Sequence, residues 1–489
     1  MSVQVFLQGK LLGIESFVLA PQADGSASDE ALVLGRAHWV TLLAEVLPRS
    51  LLADLGLARI LLGSSGGGSF LLVLPVESLP AAEEFLRRAS AGVSALSAGR
   101  LKLVWASTEN LGDWTIVRKR LAEAMFRQQH TAPVTPEAFL PHEPVAVAPP
   151  EEYFTDVLAP RFRGAKSVGC NPDQPARILL DEGAYTWPLD GSADSIVLAR
   201  HAAPEEDGTA APVSRLGSRA AGRPAWGVLR GDVDGFGVRL RRSTTIEEHV
   251  QLSVLFKQFF AGELEVQCSM PDYWRKVTIL YTGGDDFAVY GAWDALLQLA
   301  REMQRLFHRF VEANLAELPG PEGKTITMAL ELAPEPDSPF AYVYEAANRS
   351  VEAAKCVGKD CFSLFGRTVE WRHLQHAGEL KDIMLRMVRD FGCPPQFLEE
   401  LSGFYRDKIV PSARPDRPWR YHRRVALVLG SQSGPAGGTR GRAQSLEDRE
   451  LHRLRSALIT DIVGKGQAQV KLRPVGRVAV EWARLLMEA

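Results

Sequence analysis

Tyr281-Thr282-Gly283-Gly284-Asp285-Asp286-Phe287 is the stretch whose reading decides the fold. Val277 to Tyr281 leads into it and Phe287 to Tyr290 leads out, both apolar or β-branched, which predicts two short strands joined at a glycine-rich tip. The two acids then lie at a hairpin turn. Glycine at 283 and 284 admits positive φ and lets a bulky polyanion approach the backbone, while adjacent carboxylates are the hard oxygen ligands that Mg²⁺ or Mn²⁺ prefers. An acidic surface hairpin is the plainer explanation of the same residues, so the surrounding chain has to decide.

The same pattern occurs earlier. Ile60 to Leu74 again runs from an apolar strand through a glycine tip (Gly66, Gly67, Gly68, then Ser69 and Phe70) into an apolar strand. A strand at residues 2–7 and an amphipathic helix from Glu30 to Leu55 come before it, and a helix from Leu79 to Ala91 and a strand from Arg100 to Ala106 follow. The order recurs with a strand at Val228 to Asp232, a helix at Ile246 to Gly262, the hairpin at 277–290, a helix at Leu296 to Leu315 and a strand at Thr325 to Leu332. Gly66 to Phe70 overlays Gly283 to Phe287, and Lys10 to Ile14 overlays Asp232 to Phe236, at nearly equal offsets. This predicts an α+β chain with two copies of a split βαβ, ferredoxin-like palm unit. The first copy has Lys10, Gly68 and Ser69 where the second has acids, so only the second can bind catalytic metals.

The expected divisions are a degenerate N-terminal palm (1–130), a small linker domain (131–225), a catalytic palm (226–370) and a C-terminal helical domain (371–489). In the linker, Ala176 to Leu180 and Ser195 to Leu198 are strand-like, and Ala202 to Pro224 is expected to be a mobile loop. The tail predicts helices at Leu374 to Phe391, Pro395 to Ile409, Tyr421 to Leu429, Glu447 to Val463 and Val475 to Met487, broken by an Arg/Gly-rich loop from Gly434 to Arg442.

At 489 residues the chain is too long for one core. With 46% hydrophobic and 24% charged residues, disorder is not the default, and a net charge of −3 does not by itself call for nucleic acid. Five cysteines without a Cys-x-x-Cys pair argue against a disulfide framework and a four-cysteine zinc site. No signal-peptide layout is present, and no run reaches the ~18 uninterrupted apolar residues of a membrane span. A soluble, cytoplasmic protein without a membrane partner is expected.

Asp232 and Asp234 stand at a strand end, where i and i+2 point to one face. In a split βαβ sheet that end lies beside the central hairpin, which brings Asp232 toward Asp285. Converging carboxylates repel unless a cation offsets them, and two ions ~4 Å apart can activate a ribose 3′-hydroxyl and stabilise leaving pyrophosphate. A capped turn is the structural alternative for the first pair. Lys355 and Lys359 follow a helix (Ala341 to Ala354) and precede a strand (Phe362 to Phe365), where ammonium groups could hold a triphosphate. The helix dipole alone also favours lysines there.

Gly-Asp-Val-Asp-Gly-Phe-Gly (231–237), Tyr-Thr-Gly-Gly-Asp-Asp-Phe (281–287) and Ala-Ala-Lys-Cys-Val-Gly-Lys-Asp with Phe-Ser-Leu-Phe-Gly (353–366) resemble the large subunit of type III CRISPR effector complexes, the palm-domain CRISPR polymerase. The resemblance is to the Csm-type subunit, specific in the second palm and weak in the linker and tail. It implies ATP as substrate, converted to 3′-5′ cyclic oligoadenylates when a ribonucleoprotein carrying guide RNA and other type III subunits engages target RNA. By that resemblance Asp232, Asp285 and Asp286 would be catalytic and hold two Mg²⁺ or Mn²⁺ ions. Asp234, Gly283, Gly284, Lys355 and Lys359 would bind nucleotide, and Gly66, Gly67, Gly68 and Ser69 would seat a second ATP.

Many relatives begin with a nuclease domain marked by a His-Asp doublet, and none occurs among this chain's ten histidines, so no DNA cleavage is expected. Zinc-binding cysteines of some relatives are missing from the linker, and Gly235 stands where relatives often have Asn. A diguanylate-type cyclase shares the hairpin but usually has one palm and an Arg-x-x-Asp site upstream, which Trp274 to Val277 does not offer. A non-catalytic scaffold would have lost the acids from both copies. Arg417, Arg420, Arg423 and Arg424 could meet guide RNA or a small partner subunit, and a solvated helix face explains them equally well.

Overall fold

The computed structural model describes residues 4–22, 29–130, 151–192, 194–406, 418–430, 446–463 and 473–488. The first sheet is built from β1 (Gln4–Leu12), β2 (Leu62–Gly66), β3 (Ser69–Pro75) and β4 (Lys102–Glu109), antiparallel in the order β2-β3-β1-β4. A small sheet of β5 (Ser167–Asn171), β6 (Gln174–Leu180) and β7 (Tyr185–Pro188) has the order β6-β5-β7. The third contains β8 (Trp226–Val233), β9 (Val277–Thr282), β10 (Asp286–Ala292), β11 (Ile326–Leu332), β12 (Cys361–Leu364) and β13 (Arg367–Glu370), in the order β13-β12-β11-β8-β10-β9. Without β12 and β13 its strand order matches the first sheet, with the first strand of each unit central and beside its hairpin.

The two units share backbone rules as well as order. Lys10 pairs with Ser69 in the first sheet and Asp232 with Asp286 in the third, as the overlay of the two glycine tips requires. One step back, Gly9 faces Phe70 and Gly231 faces Phe287, and a Cβ on either glycine would run into the aromatic ring. The missing side chain lets the ring lie flat over the neighbouring strand. Past each strand, Gly13 (φ 84°) and Gly235 (φ 76°) turn the chain in the left-handed region into short helices, Ile14–Val18 and Phe236–Arg242.

Between the sheets runs the helix Glu30–Asp54. The expected amphipathic helix has become one buried on nearly every side, because the first sheet, the small sheet and β9 all pack on it. By length and composition it could cross a membrane, yet 89% of its apolar window is buried in the protein, as for a core helix. Its N-cap is Asp29, which accepts from Leu32 N at 2.8 Å, and Trp39 donates its indole N–H to the Ala176 carbonyl of β6 at 2.9 Å.

Two other expectations change. Ser195 to Leu198 forms no strand, and the described stretch Ala202 to Pro224 is not a free loop. Ala202, Ala203, Ala211 and Leu216 are buried, and Val213–Ser218 is helical. His201 O accepts from Ile279 N at 2.9 Å, Ala203 N donates to Thr278 Oγ1 at 3.1 Å, and Glu265 Oε2 accepts from the amides of Arg200 and His201. The segment covers the open edge of β9, whose unpaired amides would otherwise face solvent. The Ile246–Gln258 helix runs through a π-turn (Phe259–Glu263) to Cys268, with Phe259 and Phe260 packed against Phe307 and Phe287. The tail is helical at Trp371–Arg389, Gln396–Arg406, Pro418–Gly430, Leu446–Val463 and Pro474–Met487; Gly434 to Arg442 lies outside the described residues.

A Cβ at Gly35 would strike the backbone of Phe154, so the central helix passes there at backbone distance. Gly35→Ala is expected to destabilise the protein by about 1–3 kcal/mol in urea unfolding, despite alanine's better helix propensity.

Candidate functional site

The turn between β9 and β10 is closed by Gly283 N donating to Asp286 O at 2.7 Å, and Val233 N of β8 donates to Asp285 O at 2.9 Å. Neither Gly283 nor Gly284 has positive φ, so the conformational reason assigned to them does not hold. Gly283 is required by space instead, since a Cβ there would collide with Oδ1 of Asp286. At Gly284 a Cβ would meet nothing within 4 Å. In the first tip all three glycines do take positive φ: 130° at Gly66, 55° at Gly67 and 74° at Gly68. The two tips face each other closely: a Cβ on Gly67 would lie 3.4 Å from Gly284 N.

Because Asp232 and Asp286 are register partners on adjacent strands, their side chains share a face. Lys355 Nζ, from the helix Phe340–Val357, lies 2.9 Å from Asp232 Oδ2 and 3.1 Å from Glu352 Oε1. Asp286 Oδ2 accepts from the Tyr281 hydroxyl at 3.0 Å and lies 3.5 Å from an Arg230 nitrogen. Burial raises the Asp232 and Asp286 carboxyls, against the pull of Lys355 on the first and of Arg230 and Tyr281 on the second. Asp285 is pushed up to about 7 by burial, then by the neighbouring charges of Asp286 and Asp232. The cluster therefore resists carrying its full negative charge.

Asp234 is elsewhere. It lies beyond the end of β8, buried, with Oδ2 accepting from Thr325 Oγ1 (2.8 Å) and the Asp360 amide (2.9 Å) and Oδ1 from Thr327 Oγ1 (2.8 Å). Its alternation with Asp232 fails because the strand ends at Val233 and the chain turns at Gly235. Its carboxylate is bonded to residues distant in sequence rather than to its own turn, and it ties β8 to β11 and to the loop before β12. Lys359 is exposed in that loop. Arg417 lies outside the described residues, as does the side chain of Arg420; Arg423 is exposed, and Arg424 stacks over Phe404 at 4.8 Å.

A cavity of about 280 Å³ opens between the tips. Gly66, Gly67 and Gly68 line one side, and Thr282, Gly283 and Asp286 the other, between apolar walls that include Val18, Val40 and Ala261. Asp232, Asp285, Lys355 and Ser69 are not in the wall, so cavity and carboxylate cluster meet at Asp286. At one end Glu45, buried in the central helix, is held by Lys257 Nζ (2.6 Å), Arg49 (2.8 Å) and Ser65 Oγ (2.9 Å). Lys257 belongs to the second unit and the others to the first, so an ion pair crosses between them.

Among the described residues no three His, Cys, Asp or Glu side chains are gathered as a ready metal cage. Asp232, Asp285 and Asp286 still fit a hard divalent ion. Such an ion keeps one or two carboxylates and takes its remaining oxygens from water and phosphate, and it would relieve the repulsion that raises Asp285.

Residues 225–363, which carry both pairs of acids and Lys355, match the family model described as Cas10/Cmr2, second palm domain. A Cas10/Csm1 single-strand-specific deoxyribonuclease of subtype III-A from Mycobacterium tuberculosis is 28% identical over 178 residues, 32% of this chain and 21% of the relative. That stretch is similar to the second palm domain of Cas10, the large subunit of type III CRISPR complexes. A Cas10/Csm1 relative from Methanocaldococcus jannaschii is 33% identical over 98 residues, 17% of this chain and 12% of its own length. The Cas10 match thus spans about a fifth or less of these curated relatives. Two crystal structures of a Csm1-Csm4 cassette, one with cA4 and one with pppApA, share the fold, with TM-scores of 0.69 and 0.71 at 15% and 16% identity. Each likeness covers 99% of this chain, and 70% and 69% respectively of the cassette chain.

Sequence reasoning missed Arg230, Tyr344, Asn348 and Glu15 around this site, and gave Tyr281 no role. A signal was available: an arginine inside the apolar strand β8, two residues before Asp232 and so on the same face.

Asp285→Asn removes a carboxyl whose native pKa stands above its ordinary 3.8. An acid raised in the folded state costs stability above its native pKa and nothing below its unfolded one. With divalent cations chelated, the variant should be roughly 1–3 kcal/mol more stable than the parent at pH 8, with the gain gone near pH 4, in urea unfolding at both pH values.

Proposed function

We propose that this chain links ATP into cyclic oligoadenylates as the large subunit of a type III effector, switched on when its guide RNA pairs with target RNA. The observation that carries the reading is that two glycine tips face each other across one cavity, with paired aspartates at only one of the tips. One nucleotide needs metal-binding carboxylates and the other only a seat. In this account residues 1–130 are a first ferredoxin-like palm that has lost its acids, 226–370 the catalytic palm, 131–225 a linker and 371–489 a helical tail. The Csm1-Csm4 cassettes that share the fold hold pppApA and cA4, and another holds one ATP, which agrees in chemistry with the proposed substrate and product.

Divalent ions at Asp285, Asp232 and Asp286 would supply activation of a 3′-hydroxyl and charge neutralisation at the α-phosphate and leaving pyrophosphate. Lys355, now paired with Asp232, is placed to exchange that partner for a phosphate oxygen once a cation holds the carboxylate. Gly284, with open space at its Cβ position, lets a phosphate reach the backbone at the tip. Gly66 to Gly68 and the apolar walls take the second nucleotide and exclude water from the reacting ends. Asp234 acts one step away, by fixing the end of β8 on which Asp232 stands.

The assembled complex, given ATP, Mn²⁺ and matched target RNA, should yield cyclic oligoadenylates by mass spectrometry. Asp285→Ala combined with Asp286→Ala should cut the yield roughly a hundredfold or more while leaving assembly intact; undiminished product would remove the assignment. Curated relatives are described as single-strand-specific deoxyribonucleases, yet this chain has no His-Asp doublet. Single-stranded DNA offered to the same complex should stay whole, and metal-dependent cutting would place a nuclease site here.

A further inference from the structure

A chain of polar contacts leads from the first unit to a catalytic carboxylate of the second. Glu15, in the short helix after Gly13, accepts from Asn348 Nδ2 at 2.6 Å and lies 3.8 Å from Arg230. Asn348 Oδ1 accepts from Arg230 NH1 at 2.6 Å. The other Arg230 nitrogen donates to the Tyr281 hydroxyl at 2.7 Å and lies 3.5 Å from Asp286 Oδ2, which Tyr281 also contacts. Arg230 is 12% exposed, and its plane sits by the rings of Tyr344 and Tyr281, 5.1 and 5.8 Å from their centres.

We propose that Arg230 is the positioning residue for Asp286, and that Glu15 and Asn348 set Arg230, so the N-terminal unit fixes the catalytic carboxylate of the other. This rests on the proposed function only in naming Asp286 as catalytic. Three features of the geometry lead there. A guanidinium can hold Asn348 with one nitrogen and Tyr281 with the other, a span that a point-charge ammonium lacks. Asp286 is pinned on both sides, since Oδ1 lies against Gly283 Cα and Oδ2 is taken by Tyr281 and Arg230. Asn348 also stands two turns before Lys355 on one helix, so the helix that Glu15 grips carries the cation paired with Asp232. Asp232 is therefore held directly from that helix and Asp286 through Arg230, and the helix is tied to the first unit.

Glu15 is 52% exposed, so the outer link can be cut with little cost to folding. With the full chain and a non-hydrolysable ATP analogue, Mn²⁺ affinity would be read by electron paramagnetic resonance for the parent, Glu15→Ala, Arg230→Lys and the double variant. Each single change should weaken Mn²⁺ binding about fivefold, and the double change should be no weaker than the weaker single. With turnover, kcat should fall in each variant while KM for ATP holds, the retained positive charge of Arg230→Lys giving no protection. Additive losses, or a Glu15→Ala protein that binds Mn²⁺ like the parent, would overturn the proposal. If Arg230→Lys does not fold, the same cycle run with Glu15→Ala and Asn348→Ala decides it. A parent that binds Mn²⁺ but makes no oligonucleotide would refute the proposed function and leave this coupling to be judged on binding alone.

Discussion

Asp232 and Asp286 stand opposite each other on neighbouring antiparallel strands, where like charges repel most directly. The surrounding structure manages that repulsion. Lys355 is brought to one carboxylate by the helix Phe340–Val357, Tyr281 and Arg230 reach the other, and Asp285 holds its proton more tightly than an ordinary acid. None of these partners satisfies all three acids together. The protein keeps an electrostatic debt that a bound cation with its phosphate ligands would settle, and a site held in that state is the usual mark of function over stability.

Much of this was legible in the sequence because backbone geometry obeys short-range rules. A glycine tip between apolar runs predicts a hairpin, and two such tips at matched offsets predict two similar sheets; strand order and register agree with both. The pairing of Asp232 with the tip followed from the same rules. What escaped depended on which surfaces face each other. The central helix looked amphipathic because its apolar residues recur at helical spacing, a pattern that does not show that Glu45 on its other face is buried in an ion pair with Lys257 of the second unit. The stretch from Ala202 looked free because its composition resembles a loop, but composition does not show that β9 has an open edge to cover. Asp234 was grouped with Asp232 on strand alternation, which stops applying once the chain leaves the strand.

The glycines divide along the same line. Those of the first tip are conformational, needed because the backbone there enters the left-handed region. Gly283 is needed for clearance beneath a carboxylate, and Gly284 meets only open space. Identical letters at matched positions thus perform different tasks, and only the surroundings separate them. An overlay of the two stretches aligns them correctly without revealing this.

The glycines under Phe70 and Phe287 have a wider consequence. Each unit keeps its central strand and hairpin together with a ring laid across a bare backbone, a device indifferent to the residue one step further along, whether Lys10 and Ser69 or Asp232 and Asp286. Shape and charge are therefore set separately in this architecture. A unit without acids at its rim can keep the same strand order as its neighbour and be a matched mould for it, so asymmetry between the halves needs no new fold, only different residues at the rim.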